Sequence, residues 1–221
     1  MRILFKTNYR QDLNLAKHGG HHFWYGLLIL ILFAAPLMLD GYYIGEATRV
    51  LIYAMAGLGL MVLTGFTGQA SLGHAAFMAI GAYTNAWFLA HGFSSFVALP
   101  MAALLSMIGG LLVAIPAARM SGIYLAIATL AFAIIVEDFI GHLNSITGGN
   151  RGMMVDVPTL FGYQIWQSWE LYLFVLSVLI VATLAVLNIL RSPLGRAMIA
   201  VRDSEVSSQA LGVNPMKIKV F

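Results

Sequence analysis

Six apolar runs dominate this chain of 221 residues, and each approaches the length of about 20 residues that a helix needs to cross a bilayer. We predict spans at residues 23–39, 47–64, 72–90, 94–117, 122–143 and 171–190. A content of 60% hydrophobic and only 10% charged residues excludes an ordinary soluble domain. The sequence therefore predicts an all-α, polytopic membrane bundle at residues 23–190, between a basic flank at residues 1–22 and a tail at residues 191–221.

The distribution of Lys and Arg predicts that both ends of the chain face the cytoplasm. Cations precede the first span and follow the sixth, at Arg2, Lys6, Arg10, Lys17, Arg191, Arg196, Arg202, Lys217 and Lys219. Cytoplasmic segments carry the excess of positive charge, and an even number of spans places both ends on one side. The net charge of +3 reflects this topology and does not indicate nucleic-acid binding.

Acidic residues close to the spans have two interpretations. Glu46 precedes Arg49 by three residues, so the two are expected to pair on one helical face. Glu137 and Asp138 lie about 22 Å from the inner end of the fifth span, near the outer surface. They either anchor the helix at the interface or provide a polar lining at the entrance of a pathway.

We predict no metal site. The chain contains no cysteine, which excludes disulfides, a thiol nucleophile and thiolate ligands. His18, His21 and His22 form a cluster without matched ligands, and His91 and His142 fall at span ends, where an interfacial role is sufficient.

Residues 64–74, the first break, interrupt the apolar pattern with three glycines and five polar residues. Unpaired backbone is costly in hydrocarbon, so such a segment must be buried in protein or line an aqueous cavity. Broken helices of this kind present backbone dipoles to solutes in transporters, whereas the alternative is a tight turn with small residues for helix packing. The candidate pathway residues here are Gly65, Gly68, Gln69, Ser71, Gly73 and His74. For His74 alone, a packing role is the simpler interpretation.

Residues 146–153, the second break, follow the fifth span. Gly148 and Gly149 permit positive φ angles, and successive amides could form an anion-binding nest beside Arg151. A substrate carboxylate would suit such a nest, but an ordinary flexible turn explains the sequence as well. The candidate residues are Thr147, Gly148, Gly149 and Asn150.

The tail carries helix start and stop signals. They occur at Ser192-Pro193, at Asp203 or Ser204, at Gly212 and at Asn214-Pro215. Ser or Asn before Pro is a typical helix start, and a glycine in the left-handed conformation is a typical helix end. We therefore predict short capped helices at the membrane surface, suited to docking a partner, rather than a solvated loop.

Four segments together resemble one family. They read GLGLMVLTGFTGQASLGHAAFMAIGAY (57–83), PAARMSGIYLAIATLAFA (116–133), SITGGNRGM (145–153) and SPLGRAMIAVRDSEVSSQALGV (192–213). In the same order they are similar to the inner-membrane permeases of ATP-binding cassette importers for branched-chain amino acids. The last segment resembles the cytoplasmic loop that meets the ATPase, with its acidic residue, small residues and glycine at Glu205, Ala210 and Gly212.

The resemblance implies alternating access in a bacterial inner membrane. A periplasmic binding protein would deliver the amino acid, a second permease subunit would complete the path, and two cytoplasmic ATPase subunits would use the ATP. This chain would need no cofactor itself, since it has no G-x-x-x-x-G-K-[ST] loop. The residues expected to couple to the ATPase are Arg202, Asp203, Glu205, Ala210, Leu211 and Gly212.

Two features qualify this interpretation. The sister permeases for urea and short amides share much of the pattern, so urea and short amides are the alternative substrates. Members of the family also continue with further spans, so we expect this chain to be C-terminally incomplete, with residues 219–221 as the first turn of another helix.

Two rival functions come from other classes. An intramembrane enzyme could use Ser71 with His74, which share a helical face, or the pair Glu137 and Asp138. However, no acidic residue nearby in sequence orients His74, and no metal-ligand spacing such as H-E-x-x-H occurs, so we predict no catalytic residues. A purely structural membrane subunit would leave the capped tail unexplained.

Overall fold

The structure is a computed structural model that describes residues 19–120, 122–155, 157–160 and 162–220. Within these ranges the helices are α1 (Gly19–Met38), α2 (Gly41–Leu60), α3 (His74–Ala90), α4 (Ser95–Ala117), α5 (Ile123–His142), α6 (Asn144–Thr147), α7 (Ser168–Arg191), α8 (Pro193–Asp203), α9 (Glu205–Ala210) and α10 (Pro215–Val220). The predicted all-α class is confirmed. Of the predicted basic flank, residues 1–18 lie outside the described ranges.

Each predicted span falls on a helix. Within the described residues, four helical segments are long and apolar enough to cross a membrane: Gly41–Phe66, α4, α5 and α7. The apolar part of α1, Phe23–Met38, is shorter. Helix α3 has 17 residues, which gives a length of about 26 Å against about 30 Å of hydrocarbon. The chain is thus a multi-pass membrane protein.

Helices α1, α2 and α7 pack around one apolar cluster. Its buried members are Ile44 and Leu51 of α2 and Tyr172 and Leu176 of α7. The Tyr172 hydroxyl donates a hydrogen bond to the main-chain carbonyl of Leu32 in α1, at 2.9 Å. A buried tyrosine normally needs such a partner, and this bond fixes α1 against α7.

Helices α3, α4 and α5 form a second group. Small residues bring α3 and α4 close together, since a Cβ added at Gly81 would lie 3.1 Å from Ser106 Oγ. The Ser106 hydroxyl donates to the Phe77 carbonyl at 3.1 Å. The ring of Phe77 lies 5.4 Å from that of Phe132 in α5. Close approach through glycine and serine is typical of helix packing in membranes.

Several boundaries differ from the sequence predictions. The second helix continues beyond residue 64 as a π-helical turn, Met61–Phe66. Helix α3 begins at His74 rather than residue 72, and the Leu72 amide ahead of it donates to the Thr129 hydroxyl in α5. Helix α7 begins at Ser168, where Gln167 and Glu170 form a capping box.

A short β-hairpin in the loop before α7 was not predicted. Strand β1 (Thr159–Leu160) pairs antiparallel with β2 (Tyr163–Gln164). The Tyr163 hydroxyl donates to Glu170 Oε1 at 2.8 Å. This bond and the negative charge of Glu170 raise the pKa of Tyr163 above the ordinary value of 10.0.

Candidate functional site

Backbone hydrogen bonds within residues 62–69 end the π-helical turn at the start of the first break. The Thr67 amide donates to the Val62 carbonyl at 3.2 Å, and the Gln69 amide reaches back to the Leu63 carbonyl at 3.1 Å. Gly68 then adopts a φ angle of +71°, which L side chains rarely adopt. The glycine predicted to interrupt the helix is therefore required by the conformation at this position.

Thr129 of α5 holds the far end of the first break. Its hydroxyl accepts a hydrogen bond from the Leu72 amide at 3.0 Å. A Cβ added at Gly73 would lie only 2.6 Å from the Thr129 carbonyl oxygen. The Ser71 hydroxyl accepts from the Gly73 amide at 3.3 Å. Thr129 was not predicted as a site residue from the sequence, where its signal is a hydroxyl residue inside an apolar span.

The His74 ring packs against α2. A Cβ added at Gly59 would lie 3.2 Å from His74 Cε1, so the glycine leaves room for the ring. This arrangement agrees with the packing role that the sequence suggested as the simpler interpretation.

A cavity of about 890 Å³ opens beside the first break. Its polar lining includes Gln69, Ser71 and Thr129, together with Lys217 of α10. Much of the remaining wall is apolar. It is formed by side chains of α3, α4 and α5, among them Phe77, Met107, Leu111 and Leu125. Small-molecule sites have volumes of about 300–1,000 Å³ and are likewise mainly apolar with a few polar groups.

The helix signals of the tail are confirmed one by one. Ser192 Oγ accepts from the Leu194 amide at 3.2 Å, so α8 begins at Pro193 as expected. Ser204, rather than Asp203, caps α9 by accepting from the Ser207 amide at 3.2 Å. Gly212 has a φ angle of +83° after α9. Asn214 Oδ1 accepts from the Lys217 amide at 3.3 Å at the start of α10.

The tail is bound to the first break. Arg202 of α8 donates from Nη1 to the Gly65 carbonyl at 2.8 Å. Gln69 donates from Nε2 to the Lys219 carbonyl at 3.2 Å. Lys219 Nζ in turn lies 2.6 Å from Glu205 Oε1. The two segments that the sequence singled out separately therefore form one structural unit.

The second break lies at the other end of α5. The Thr147 hydroxyl shares its one proton between the carbonyls of Ile140 and Leu143, at 2.6 and 2.8 Å, and it accepts from the Gly149 amide at 3.1 Å. A Cβ added at Gly149 would meet the Gly141 carbonyl at 3.0 Å. Gly141 and Thr129 are twelve residues apart, or about 18 Å along the helix.

Several amides of the second break already have partners. Besides Gly149, the amide of Arg151 donates to Gly148 and that of Gly152 donates to Gly149, at 3.3 and 3.0 Å. Asn150 lies against α5, because a Cβ added at Gly141 would be 3.1 Å from Asn150 Oδ1. An anion nest here would have fewer donors than the sequence alone suggests.

The candidate residues thus fall into three places. The first group, at the break and against α8 and α10, comprises Gly65, Gly68, Gln69, Ser71, Gly73, His74, Arg202, Asp203 and Glu205. Thr147, Gly148, Gly149 and Asn150 are separate from it. Ala210, Leu211 and Gly212 lie at the exposed C-terminal end of α9. Val206, in its first turn, is also exposed and was not predicted from the sequence.

The other charged residues that the structure describes are exposed or half-buried. Arg49 pairs with Glu46 at 2.9 Å, as predicted. Glu137 and Asp138 are exposed, and Asp138 lies 3.3 Å from His142 Nδ1 one turn later. Among the described residues, no group of three His, Asp or Glu side chains could hold a metal ion.

Comparison with known proteins matches residues 42–221 to the family described as branched-chain amino acid transport system / permease component. The chain is 36% identical to the high-affinity branched-chain amino acid transport system permease protein LivM of Salmonella typhimurium and 35% identical to that of Escherichia coli. Each alignment of 219 residues covers 87% of this chain and 51% of the relative, so the chain spans about half the length of these curated relatives. No solved structure shows a significant match. The chain belongs to the family of permease components of branched-chain amino acid transport systems.

Proposed function

We propose that this chain is part of the transmembrane subunit of an ATP-binding cassette importer that moves branched-chain amino acids into the cytoplasm by alternating access. The observation that carries this proposal is the bonding of the capped tail to a helix break that lines a cavity. A second permease subunit would complete the pathway. Two cytoplasmic ATPase subunits would hydrolyse the ATP, and a periplasmic binding protein would deliver the substrate.

Helix α9 provides a docking surface for the ATPase. Val206 and Leu211 are 79% and 82% exposed; Val206 lies in the first turn of α9 and Leu211 is the C-cap residue that follows it. The helix is bound to α10, because Glu205 pairs with Lys219. Exposed apolar patches rimmed by polar residues mark protein–protein interaction sites, and Val206 and Leu211 are the candidates for such contacts here.

The cavity beside the first break is a candidate for part of the substrate pathway. Its mainly apolar wall suits an aliphatic side chain, and Gln69, Ser71 and Thr129 are among the polar residues that line it. Urea or a short amide is too polar and too small to make many contacts with so much apolar surface. The names of the relatives also favour branched-chain amino acids over the urea alternative.

The two breaks take different parts in this proposal. Gly65, Gly68, Gln69, Ser71, Gly73 and His74 would serve the cytoplasmic side, next to the tail. Thr147, Gly148, Gly149 and Asn150 would lie toward the periplasm, about 18 Å away along α5. The chain ends would face the cytoplasm of a bacterial cell, as the distribution of Lys and Arg predicts.

The test is co-purification with the partner permease and tagged ATPases, followed by uptake in proteoliposomes. Leu211→Asp and Val206→Asp should each reduce recovery of the ATPases, because a charge at an apolar contact must be desolvated. Met154→Asp is the matched control: this residue is 98% exposed but lies after the second break.

Reconstituted complexes should accumulate leucine, isoleucine or valine in an ATP-dependent manner when the binding protein is present. Uptake of urea or acetamide with no uptake of leucine would instead select the alternative substrate. Failure of the unmodified chain to recover any ATPase would contradict the importer assignment.

A further inference from the structure

Arg202 connects the last turn of α8 to the first break. Its Nη1 donates to the Gly65 carbonyl at 2.8 Å, across 137 residues of sequence. Its Nε and Nη2 both donate to Asp203 Oδ1, at 3.0 and 2.9 Å. The Asp203 carboxylate therefore orients the guanidinium, while the remaining nitrogen, Nη1, bonds to the first break.

The Gly65 carbonyl is available because of how the π-helical turn ends. In a continuing α-helix this carbonyl would accept from the amide of Gln69. Here the Gln69 amide bonds to Leu63 instead, at 3.1 Å. A carbonyl in the last turn of a helix needs another donor, and a charged donor makes the stronger bond.

Gly68 makes room for the same side chain. A Cβ added at Gly68 would lie 2.8 Å from Arg202 Cγ and 3.6 Å from Arg202 Cα. The arginine stem therefore crosses the backbone of the break where only a glycine leaves space. On the other side, α8 is anchored by Met198 and Val201, which are buried.

We propose that Arg202 is the positioning residue that makes the first break move with the ATPase-facing segment. This inference rests on the proposed function, and it assigns Arg202 an internal role rather than a place on the docking surface. A displacement of α8 would be passed through the guanidinium to the Gly65 carbonyl. A π-helical turn frequently marks a functional site, so the turn Met61–Phe66 and the break that follows it are the part of the chain that such a pull would change.

The first test is independent of transport and uses hydrogen exchange of the purified chain with its partner permease. Arg202→Ala should raise exchange across residues 65–73 by about fivefold or more, because the break loses its tie to α8. Arg202→Lys, which retains one donor, should give a smaller rise. The control is Arg119→Ala, which removes the same charge from an exposed position between α4 and α5. Unchanged exchange in Arg202→Ala would overturn the inference.

The second test measures uptake per ATP hydrolysed in the complete importer. Arg202→Ala should lower this ratio by about fivefold or more, which is the lower end of the usual coupling between two sites in a protein. The ATPases should still be recovered in full. The KM for ATP should stay unchanged, and Arg202→Lys should restore part of the ratio.

Three outcomes would count against the inference or its basis. An unchanged ratio would overturn it. Loss of ATPase recovery in Arg202→Ala would also overturn it, since Arg202 would then belong to the docking surface. Absence of ATP-driven uptake in the unmodified complex would contradict the proposed function, and the exchange experiment would still decide whether Arg202 holds the break.

Discussion

Gln69 donates a hydrogen bond from Nε2 to the main-chain carbonyl of Lys219 at 3.2 Å, although the two residues are 150 positions apart. The Lys219 side chain is only 9% exposed, and its Nζ pairs with Glu205 Oε1 at 2.6 Å. Helix α10 is thus fixed on one side to the first break and on the other to α9. Because α10 also lines the cavity, the tail and the candidate pathway share a wall.

Replacement of Gln69 by Ala should loosen α10. The Lys219 carbonyl would lose its donor, at a cost of about 0.5–1.5 kcal/mol for a typical hydrogen bond. Hydrogen exchange over residues 215–220 should rise, whereas exchange in α7 should not change. Gln209→Ala, at an exposed position on α9, is the control. Equal effects of the two variants would contradict the role of the Gln69 bond.

Replacement of Gly73 by Ala should separate α3 from α5. The new Cβ would lie 2.6 Å from the Thr129 carbonyl oxygen, and a backbone atom cannot rotate away. We expect a loss of about 1–3 kcal/mol, the usual cost of overpacking, measured as a lower unfolding temperature in detergent. Gly57→Ala is the control, since its added Cβ meets no atom within 4 Å. Reduced uptake with the ATPases still bound would favour a pathway role, and loss of assembly would favour packing alone.

Local features of this chain could be predicted because their causes are local. The Ser192 hydroxyl accepts a hydrogen bond from an amide two residues later. Gly212 adopts a positive φ angle, which depends on the glycine itself and not on a distant contact. The pairing of Glu46 with Arg49 likewise depends on helical spacing alone. Each of these was identified from a few consecutive residues.

The long-range contacts could not be predicted in the same way. Gln69 was predicted as a pathway residue and Arg202 as an ATPase-coupling residue. Nothing in one sequence indicates that Gln69 binds Lys219 or that Arg202 binds Gly65. Thr129 was hidden inside an apolar run, and its role depends on how α5 packs against the break. Packing of the helices, rather than local propensity, determines such pairs.

Replacement of Gly148 by Ala should disrupt the second break through two effects, the unfavourable φ angle and a steric clash of the new Cβ. Its φ angle of +71° is unfavourable for alanine, and the added Cβ would lie 2.3 Å from the Gly152 carbonyl oxygen. Gly92→Ala provides the comparison, because Gly92 has a φ angle of +79° but open space around it. We expect about 1–2 kcal/mol for Gly92→Ala and a larger loss for Gly148→Ala, measured by unfolding in detergent. Equal losses would show that the turn has room to adapt.

Replacement of Gly68 by Ala should depend on Arg202. With Arg202 present the new Cβ meets its Cγ at 2.8 Å, whereas in Arg202→Ala that atom is absent and the remaining Cβ is 3.4 Å away. Unfolding of the four proteins of a double-mutant cycle should therefore give a coupling of about 0.5–3 kcal/mol. Additive losses would mean that the φ angle of Gly68 accounts for the whole effect.

Replacement of Gly212 by Val should reduce ATP-driven uptake and leave membrane insertion unchanged. The Gly212 amide donates to Gln209 at 2.9 Å and the Val213 amide to Ser208 at 3.0 Å, the two bonds that end a helix through a left-handed residue. A β-branched residue resists the φ angle of +83°, although no atom lies within 4 Å of the added Cβ.

The strain at Gly212 would be about 1–2 kcal/mol, which corresponds to a decrease of about 5–30-fold in the population of the intact end of α9. Uptake per ATP hydrolysed in proteoliposomes measures this effect, and the amount of chain recovered in membranes is the control for insertion. Gly212→Asn should retain most of the uptake, because asparagine tolerates the left-handed region. If Asn and Val reduce uptake equally, the backbone conformation cannot be the cause, and the absence of a side chain at the contact with the ATPase becomes the explanation.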